Sequence, residues 1–208
     1  MSFDFSGRFI TFEGCEGVGK STQAKLLAEK LTAEGWKVHV TREPGGAELG
    51  EKIRDILKKT SLIDPICELL LLFAARRDHF VRLIAPMMED GYLVICDRFY
   101  DSSLVYQGLL KRIPFSDILK LKQMVVGEFE PNLTIILDVN VDVSIERIKT
   151  RRIFDEYDEM GRDQYEIIRS GFQKISEIFP FRTLLINAEG SEKTVFSRIW
   201  KAIQRINL

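Results

Sequence analysis

The sequence has few cysteines and no long apolar run, and its charges almost cancel. Its three cysteines are odd in number and lack metal-ligand spacing, so we expect reduced thiols and a cytoplasmic location. The longest uninterrupted apolar run, residues 69–75, is far too short to cross a bilayer, and we expect no membrane partner. A net charge of −1 gives no sign of a basic nucleic-acid-binding surface, so no nucleic-acid partner is expected.

Targeting signals and internal boundaries are also missing. The first residues show no basic region followed by an apolar stretch, so we expect no signal peptide. No linker, low-complexity tract or repeat interrupts the chain, which predicts a single domain over residues 1–208. A hydrophobic content of 45% and a charged content of 29% are typical of a globular protein with a sizeable core.

Apolar runs of strand length alternate with longer helical patterns along the chain. This alternation predicts an α/β fold with a five-stranded parallel sheet and helices on both faces. The runs at residues 92–96 and 133–137 are almost continuously apolar, as expected of central strands buried on both faces. Strands are predicted at residues 8–13, 37–41, 92–96, 133–137 and 183–187. Helices are predicted at residues 20–34, 47–59, 64–90, 115–126, 141–151, 162–179 and 191–206.

A glycine-rich loop joins the first predicted strand to the first predicted helix. Its spacing matches the Walker A pattern, in which inward-pointing backbone N–H groups and a helix N-terminus hold phosphate oxygens. Lys20 can reach the β- and γ-phosphates, and the Ser21 hydroxyl can ligate Mg²⁺. A chance glycine-rich turn is the weaker alternative, because a strand precedes the loop and a helix follows it. The predicted ATP-binding residues are Gly14, Cys15, Glu16, Gly17, Val18, Gly19, Lys20, Ser21 and Thr22.

Polar residues follow the next two predicted strands, where ligands of an open α/β sheet bind. Arg42 precedes a Glu-Pro-Gly-Gly turn, so this segment is either a loop that starts a helix or a loop with a ligand contact. Asp97 ends a buried strand and fits a Walker B residue that helps to hold Mg²⁺. Arg98 offers a fork suited to a phosphate. The alternative for Asp97 and Arg98 is a pair that caps the next helix.

Two other segments have both a structural and a functional interpretation. Phe73 and Arg77 are four residues apart on one helical face and could hold a base, or they could be a core aromatic and a surface arginine. No residue lies at a spacing from His79 that would indicate a catalytic or metal-binding pair, so His79 is interpreted as structural or exposed. The charged segment at residues 147–163 is either a solvated face or a lid that supplies arginines to a phosphoryl transfer.

These motifs together resemble the thymidylate kinase family, nucleoside monophosphate kinases with a three-layer P-loop NTPase fold. The resemblance runs in order through residues 12–22, 41–46, 72–77 and 97–108 and covers nearly the whole chain. The Arg-Glu-Pro-Gly-Gly and Asp-Arg-Phe…Tyr-Gln-Gly pieces are its most specific parts. It implies Mg²⁺-dependent transfer of the ATP γ-phosphate to dTMP, giving dTDP and ADP for dTTP synthesis, by a homodimer.

The resemblance also implies residue roles. Phe73 would stack on thymine and Arg77 would bond its edge, while Glu16 would approach the sugar 3′-hydroxyl. The implied substrate-binding residues are Glu16, Arg42, Phe73, Arg77, Arg98, Ser103, Tyr106 and Gln107, and the implied metal-binding residues are Ser21 and Asp97.

Two features concern the source of catalytic charge. One branch of the family has an arginine in the loop where this chain has Gly17, so the arginine is expected in the lid, with Arg151 and Arg152 as candidates beside catalytic Lys20 and Arg98. The lid departs from the family pattern at residues 158–161, where an expected arginine and acid are replaced.

Cys15 lies near a helix N-terminus, a setting that predicts a lowered thiol pKa and inhibition by alkylation.

Two other functions remain to be weighed. A related nucleotide kinase with a different base preference would share the loop and differ only in pocket shape. A P-loop nucleotide-binding switch would need an Asn-Lys-x-Asp guanine motif after a later strand, and the sequence has none.

Overall fold

A computed structural model describes residues 7–60, 62–150 and 160–205. Within these residues the fold is a parallel sheet of five strands in the order β2-β3-β1-β4-β5, which confirms the predicted α/β class. Each strand lies within one residue of its predicted limits. The strands are β1 (Phe9–Glu13), β2 (Val38–Arg42), β3 (Leu93–Asp97), β4 (Leu133–Asp138) and β5 (Thr183–Asn187).

The strand register fixes where a site can form. β1 is buried along its whole length and lies between β3 and β4. Asp97, the last residue of β3, pairs with Phe12 of β1 on one side and with Arg42 of β2 on the other. Because all strands run in one direction, the loops that follow β1, β2 and β3 emerge at the same edge of the sheet.

The helices form two groups against the sheet. The first and last helices pack on each other, whereas the third, sixth and eighth belong to a second group with a π-helical segment at Leu104–Leu110. No helix among the described residues is long and apolar enough to cross a membrane. The helices are α1 (Lys20–Ala33), α2 (Glu48–Lys59), α3 (Pro65–His79), α4 (Ala85–Glu89), α5 (Tyr100–Ser103), α6 (Phe115–Val126), α7 (Val141–Lys149), α8 (Arg162–Ile178) and α9 (Glu192–Ile203).

Two helical regions differ from the sequence prediction. The long helix predicted at residues 64–90 is interrupted by a π-helical turn at Phe80–Ile84. The helix at residues 100–110 was not predicted, since its residues are almost all buried and show no polar face with a 3.6-residue period.

The single domain and the lid at 147–163 stay predictions, because residues 151–159 lie outside the described residues.

Candidate active site

The loop after β1 is shaped by glycines that other residues could not replace. Gly14, Gly17 and Gly19 have φ of 132°, 75° and 98°, the left-handed region that side chains disfavour. A Cβ at Gly14 would lie 2.5 Å from the Leu137 carbonyl oxygen, and one at Gly17 would lie 2.6 Å from that of Ser144. The loop is therefore packed closely against the end of β4 and against α7.

Lys20, the first residue of α1, folds back over this loop. Its Nζ donates hydrogen bonds to the carbonyl oxygens of Gly14 at 3.0 Å and Cys15 at 2.5 Å. Burial lowers the pKa of Lys20 to about 8. The ammonium group is thus mostly charged at neutral pH and lies where the curled backbone would hold a phosphate.

The predicted metal-binding pair lies beside the lysine. Ser21 Oγ donates to Asp97 Oδ2 at 2.5 Å, so a hydroxyl and a carboxylate from α1 and β3 converge. These hard oxygen donors suit Mg²⁺, which proteins hold through one or two carboxylates together with substrate phosphates and water. No cluster of three or more His, Cys, Asp or Glu side chains that could hold a metal ion occurs among the described residues.

Arg98 connects the loop to the opposite wall of the cavity. It has a φ of 73°, and its guanidinium donates to Glu16 Oε1 at 2.5 Å, Ser102 Oγ at 2.9 Å and the Gly14 carbonyl at 3.2 Å. The Tyr106 hydroxyl accepts from Arg98 at 3.2 Å and donates to Glu16 Oε2 at 2.6 Å. Three residues predicted from two separate motifs, the glycine-rich loop and the segment after β3, are therefore joined in one network.

Glu13 is a site residue that the sequence analysis missed. It is fully buried at the end of β1 and accepts hydrogen bonds from the Phe99 backbone N–H at 2.7 Å and from Ser102 Oγ at 2.6 Å. Burial, followed by repulsion from Asp101, raises the pKa of Glu13 to about 7. A glutamate at the end of a mostly apolar strand was the available signal. Glu13 holds the turn that carries Arg98.

The structure corrects the prediction for α3 by one residue. Phe73 is 2% exposed and belongs to the core, and Arg77 Nη1 donates to the Val125 carbonyl of α6 at 2.7 Å. Neither side chain lines the cavity, whereas Leu72 and Arg76 do. Each helical residue is turned by about 100° from the next, so a shift of one residue selects a different face. Two adjacent arginines made this choice ambiguous in the sequence.

The remaining predicted substrate residues line a cavity of about 260 Å³ together with the loop. Arg42 is half-exposed, and its Nη2 pairs with Glu51 at 2.9 Å. The Ser103 hydroxyl accepts from Arg76 Nη1 at 3.2 Å. Gln107 Nε2 donates to Glu68 Oε1 at 2.7 Å. The cavity thus carries arginines near the loop, and it is also lined by the neutral groups of Ser103 and Gln107 with their charged partners Arg76 and Glu68.

The lowered pKa predicted for the Cys15 thiol is wrong. The side chain is 4% exposed, and burial raises its pKa to about 12 instead of lowering it. A buried thiol with this pKa has almost no thiolate at neutral pH, so the helix N-terminus does not decide its reactivity.

The predicted lid arginines Arg151 and Arg152 lie outside the described residues. Arg147 precedes them in the sequence and lies on α7. It donates to the carbonyl oxygens of Ala188 at 3.2 Å and Gly190 at 3.4 Å. Met160, at the other end of this segment, packs against the hydrophobic core. The described ends of the predicted lid are thus both attached to the body of the protein.

Comparisons with known proteins agree with this geometry. The family model described as thymidylate kinase matches residues 12–199. Thymidylate kinase of Rickettsia typhi is 43% identical over 182 residues, covering 88% of this chain and 89% of the relative. That of Afipia carboxidovorans is 41% identical over 203 residues, covering 95% and 89%. The crystal structure of thymidylate kinase from Ehrlichia chaffeensis superposes with a TM-score of 0.78 at 37% identity, covering 95% of this chain and 98% of that chain. The chain belongs to the thymidylate kinase family.

Proposed function

We propose that this chain transfers the γ-phosphoryl group of ATP to dTMP, giving ADP and dTDP. The observation that carries the proposal is the network of Glu16, Arg98 and Tyr106. Glu16 belongs to the phosphate-binding loop, and its two partners come from the segment after β3. A donor site and an acceptor site therefore share one residue, as a direct transfer between two nucleotides requires.

The acceptor needs no general base. Its nucleophile is an oxygen of a phosphate monoester, whose second pKa of about 6 leaves it mostly deprotonated at neutral pH. Catalysis then consists of aligning the two phosphates and neutralising the charge on the transferring group. The cavity suits this task because basic side chains surround its phosphate end.

Each basic or acidic group at the phosphate end has a proposed role. Lys20 leaves the Gly14 and Cys15 carbonyls to bind the β- and γ-phosphates, and the loop backbone holds their oxygens. Arg98 and Arg42 hold the acceptor phosphate. Glu16 accepts from the sugar 3′-hydroxyl while it keeps Arg98 in place. Arg98 is poised for this role by four hydrogen bonds that already fix its guanidinium plane.

The metal and the lid complete the proposed charge balance. Ser21 and Asp97 would hold Mg²⁺, which when bound neutralises phosphate charge and orients the transferred group. Gly17 is packed against Ser144 and Ile148, so this position of the loop has no room for an arginine side chain. We therefore keep Arg151 and Arg152 as the proposed lid arginines.

The base-binding end of the cavity is assigned differently from the sequence prediction. We propose that Arg76, in place of Arg77, bonds the thymine edge and that Leu72, in place of Phe73, packs on the ring. Ser103, Tyr106 and Gln107 close the pocket around them.

We also propose a homodimer, as the family resemblance implies. Exposed apolar side chains on α3 and α6 support it, namely Ile66, Leu70, Leu119 and Met124. Sedimentation equilibrium of the purified chain tests this proposal, and a monomer at micromolar concentration would contradict it.

The function is tested by incubating purified protein with ATP, MgCl₂ and a panel of nucleoside monophosphates while ADP release is measured. We expect dTMP to give the highest kcat/KM, with slower turnover of dUMP. A preference for CMP or AMP would identify a related kinase with another base preference. Hydrolysis of nucleoside triphosphate without transfer to any acceptor would identify a nucleotide-dependent switch.

A further inference from the structure

A chain of four buried side chains lies behind the base-binding end of the cavity. Thr41 Oγ1 and His79 Nε2 are 2.8 Å apart, and His79 Nδ1 and Glu43 Oε1 are 3.1 Å apart. The other carboxylate oxygen, Glu43 Oε2, accepts from Arg76 Nε at 2.7 Å. The chain thus runs from β2 through α3 and ends on the arginine that faces the cavity. None of its first three members belongs to the proposed machinery.

The direction of these hydrogen bonds is fixed by chemistry. An ionised carboxylate only accepts hydrogen bonds, so His79 must carry its proton on Nδ1 to donate to Glu43. Both oxygens of Glu43 then have a donor on a defined side, one from His79 and one from Arg76. The carboxylate cannot rotate without breaking one of these two hydrogen bonds.

The protein backbone closes over the histidine. His79 is completely buried, and a Cβ at Gly46 would overlap its imidazole ring and the Thr41 hydroxyl. Gly46 has a φ of 79°, so the turn after β2 is shaped to pass this close. The imidazole is therefore held by packing as well as by hydrogen bonds.

Packing and hydrogen bonds also hold Arg76, and they leave one of its guanidinium nitrogens, Nη2, without a hydrogen bond to any described residue. Its guanidinium lies 4.6 Å from the Phe73 ring centroid and 5.4 Å from that of Phe99. Nε binds Glu43 and Nη1 binds Ser103. Nη2 has no hydrogen-bond partner in the described part of the chain, and Arg76 lines the cavity although it is only 3% exposed. The core residue Phe73 thus supports the arginine and does not contact the base.

We propose that Glu43, oriented by His79, is a positioning residue that aims Arg76 Nη2 at the base and thereby sets the preference for dTMP over dCMP. A fixed N–H donor bonds the O4 carbonyl of thymine, whereas cytosine presents an amino group at the same place and repels it. If Arg76 could swing, it would avoid the amino group and the discrimination would fall. The inference rests on the proposed function, since it concerns the acceptor of that reaction.

The test compares His79→Leu and Glu43→Gln with two matched variants. His79→Asn keeps an amide N–H near the position of Nδ1, so it should restore the bond to Glu43. His39→Leu makes the same change on β2 at a half-buried histidine outside the network. For each protein, KM and kcat are measured for ATP, dTMP and dCMP, and folding is checked by circular dichroism and thermal unfolding.

We expect His79→Leu and Glu43→Gln to raise KM for dTMP about tenfold and to lower the dTMP-over-dCMP ratio by a similar factor. KM for ATP should change by less than about twofold, because the donor site is not touched. His79→Asn and His39→Leu should behave like the wild type. Folded His79→Leu and Glu43→Gln proteins with an unchanged ratio would overturn the proposal, as would equal losses for every substrate.

A milder variant covers the case in which both buried substitutions prevent folding. Thr41→Val keeps the shape of the side chain and removes only the bond to Nε2, so we expect a fall of about threefold in the dTMP-over-dCMP ratio. An unchanged ratio in this variant would then overturn the proposal. Failure of the wild type to phosphorylate dTMP would instead refute the proposed function, and the variants would be compared on whichever monophosphate it accepts.

Discussion

The two ends of the cavity are built in different ways. The phosphate end is built from a loop whose main-chain conformation is set by Gly14, Gly17 and Gly19. The base end is built from side chains on α3 and on the helical segments after β3, each held by buried partners such as Glu43 and Glu68. A site that is formed by the main chain follows from the spacing of residues and can be predicted from the sequence. A site that is formed by helix side chains depends on how the helix is rotated, which only the fold shows.

Lys20→Ala should have the largest effect and tests the phosphate end. Loss of the ammonium group removes charge from the β- and γ-phosphates, so we expect kcat to fall by about 10²–10³-fold. The fold should remain, since Lys20 bonds only two loop carbonyls. A coupled assay of ADP release measures the loss, and near-normal dTDP formation by a folded variant would contradict the role of Lys20.

Arg98→Ala tests the point where the two ends meet. We expect kcat/KM for dTMP to fall by about 10²-fold, because the variant loses a charge-assisted contact to the acceptor phosphate and frees Glu16. KM for ATP should change much less. Equal changes in both KM values would show that Arg98 supports the loop and does not bind the acceptor.

Arg76→Ala and Arg77→Ala test the one-residue correction on α3. Arg76→Ala should raise KM for dTMP about tenfold or more, because it removes the donor that faces the base. Arg77→Ala should leave KM near its wild-type value, since its guanidinium bonds the Val125 carbonyl away from the cavity. Measured KM values for dTMP decide between them. The reverse order of effects would restore the assignment made from sequence.

The pH dependence of ATP use should show the smallest effect. The pKa of Lys20 is lowered to about 8, and its charged form binds phosphate, so this form is lost as the pH rises through 8. We expect kcat/KM for ATP to fall about tenfold between pH 7 and pH 9, while the acceptor phosphate stays ionised throughout. Lys20→Ala should lack this step. A flat wild-type profile would show that the ammonium group keeps its ordinary pKa.

Much of the fold was predictable because the sheet leaves a simple pattern. The strands at residues 93–97 and 133–138 are almost continuous apolar runs, as expected for burial on both faces. Helix 100–110 was missed for the same physical reason, since burial on nearly all sides removes the polar stripe that marks a helix.

The parts of the site that are formed by the main chain were easier to predict from the sequence than the parts that are formed by side chains. The loop residues and the pair Ser21 and Asp97 come together as predicted. The sequence could not decide between Arg76 and Arg77, because only the packing of α3 against α6 shows which guanidinium lies away from the cavity. The supporting carboxylates Glu13 and Glu43 gave no recognisable spacing, since their partners are distant in sequence.

The π-helical segment at Leu104–Leu110 has a consequence for tolerated deletions. It carries Tyr106 and Gln107 into the cavity, and a π-helix differs from an α-helix by about one additional residue per turn. Removing one residue from this segment would let it rewind as an α-helix without shortening the fold at either end. The residues on either side would keep their places, and only the residues within the segment would change the direction in which they point. We therefore expect a single-codon loss here to move Tyr106 and Gln107 away from their places in the cavity.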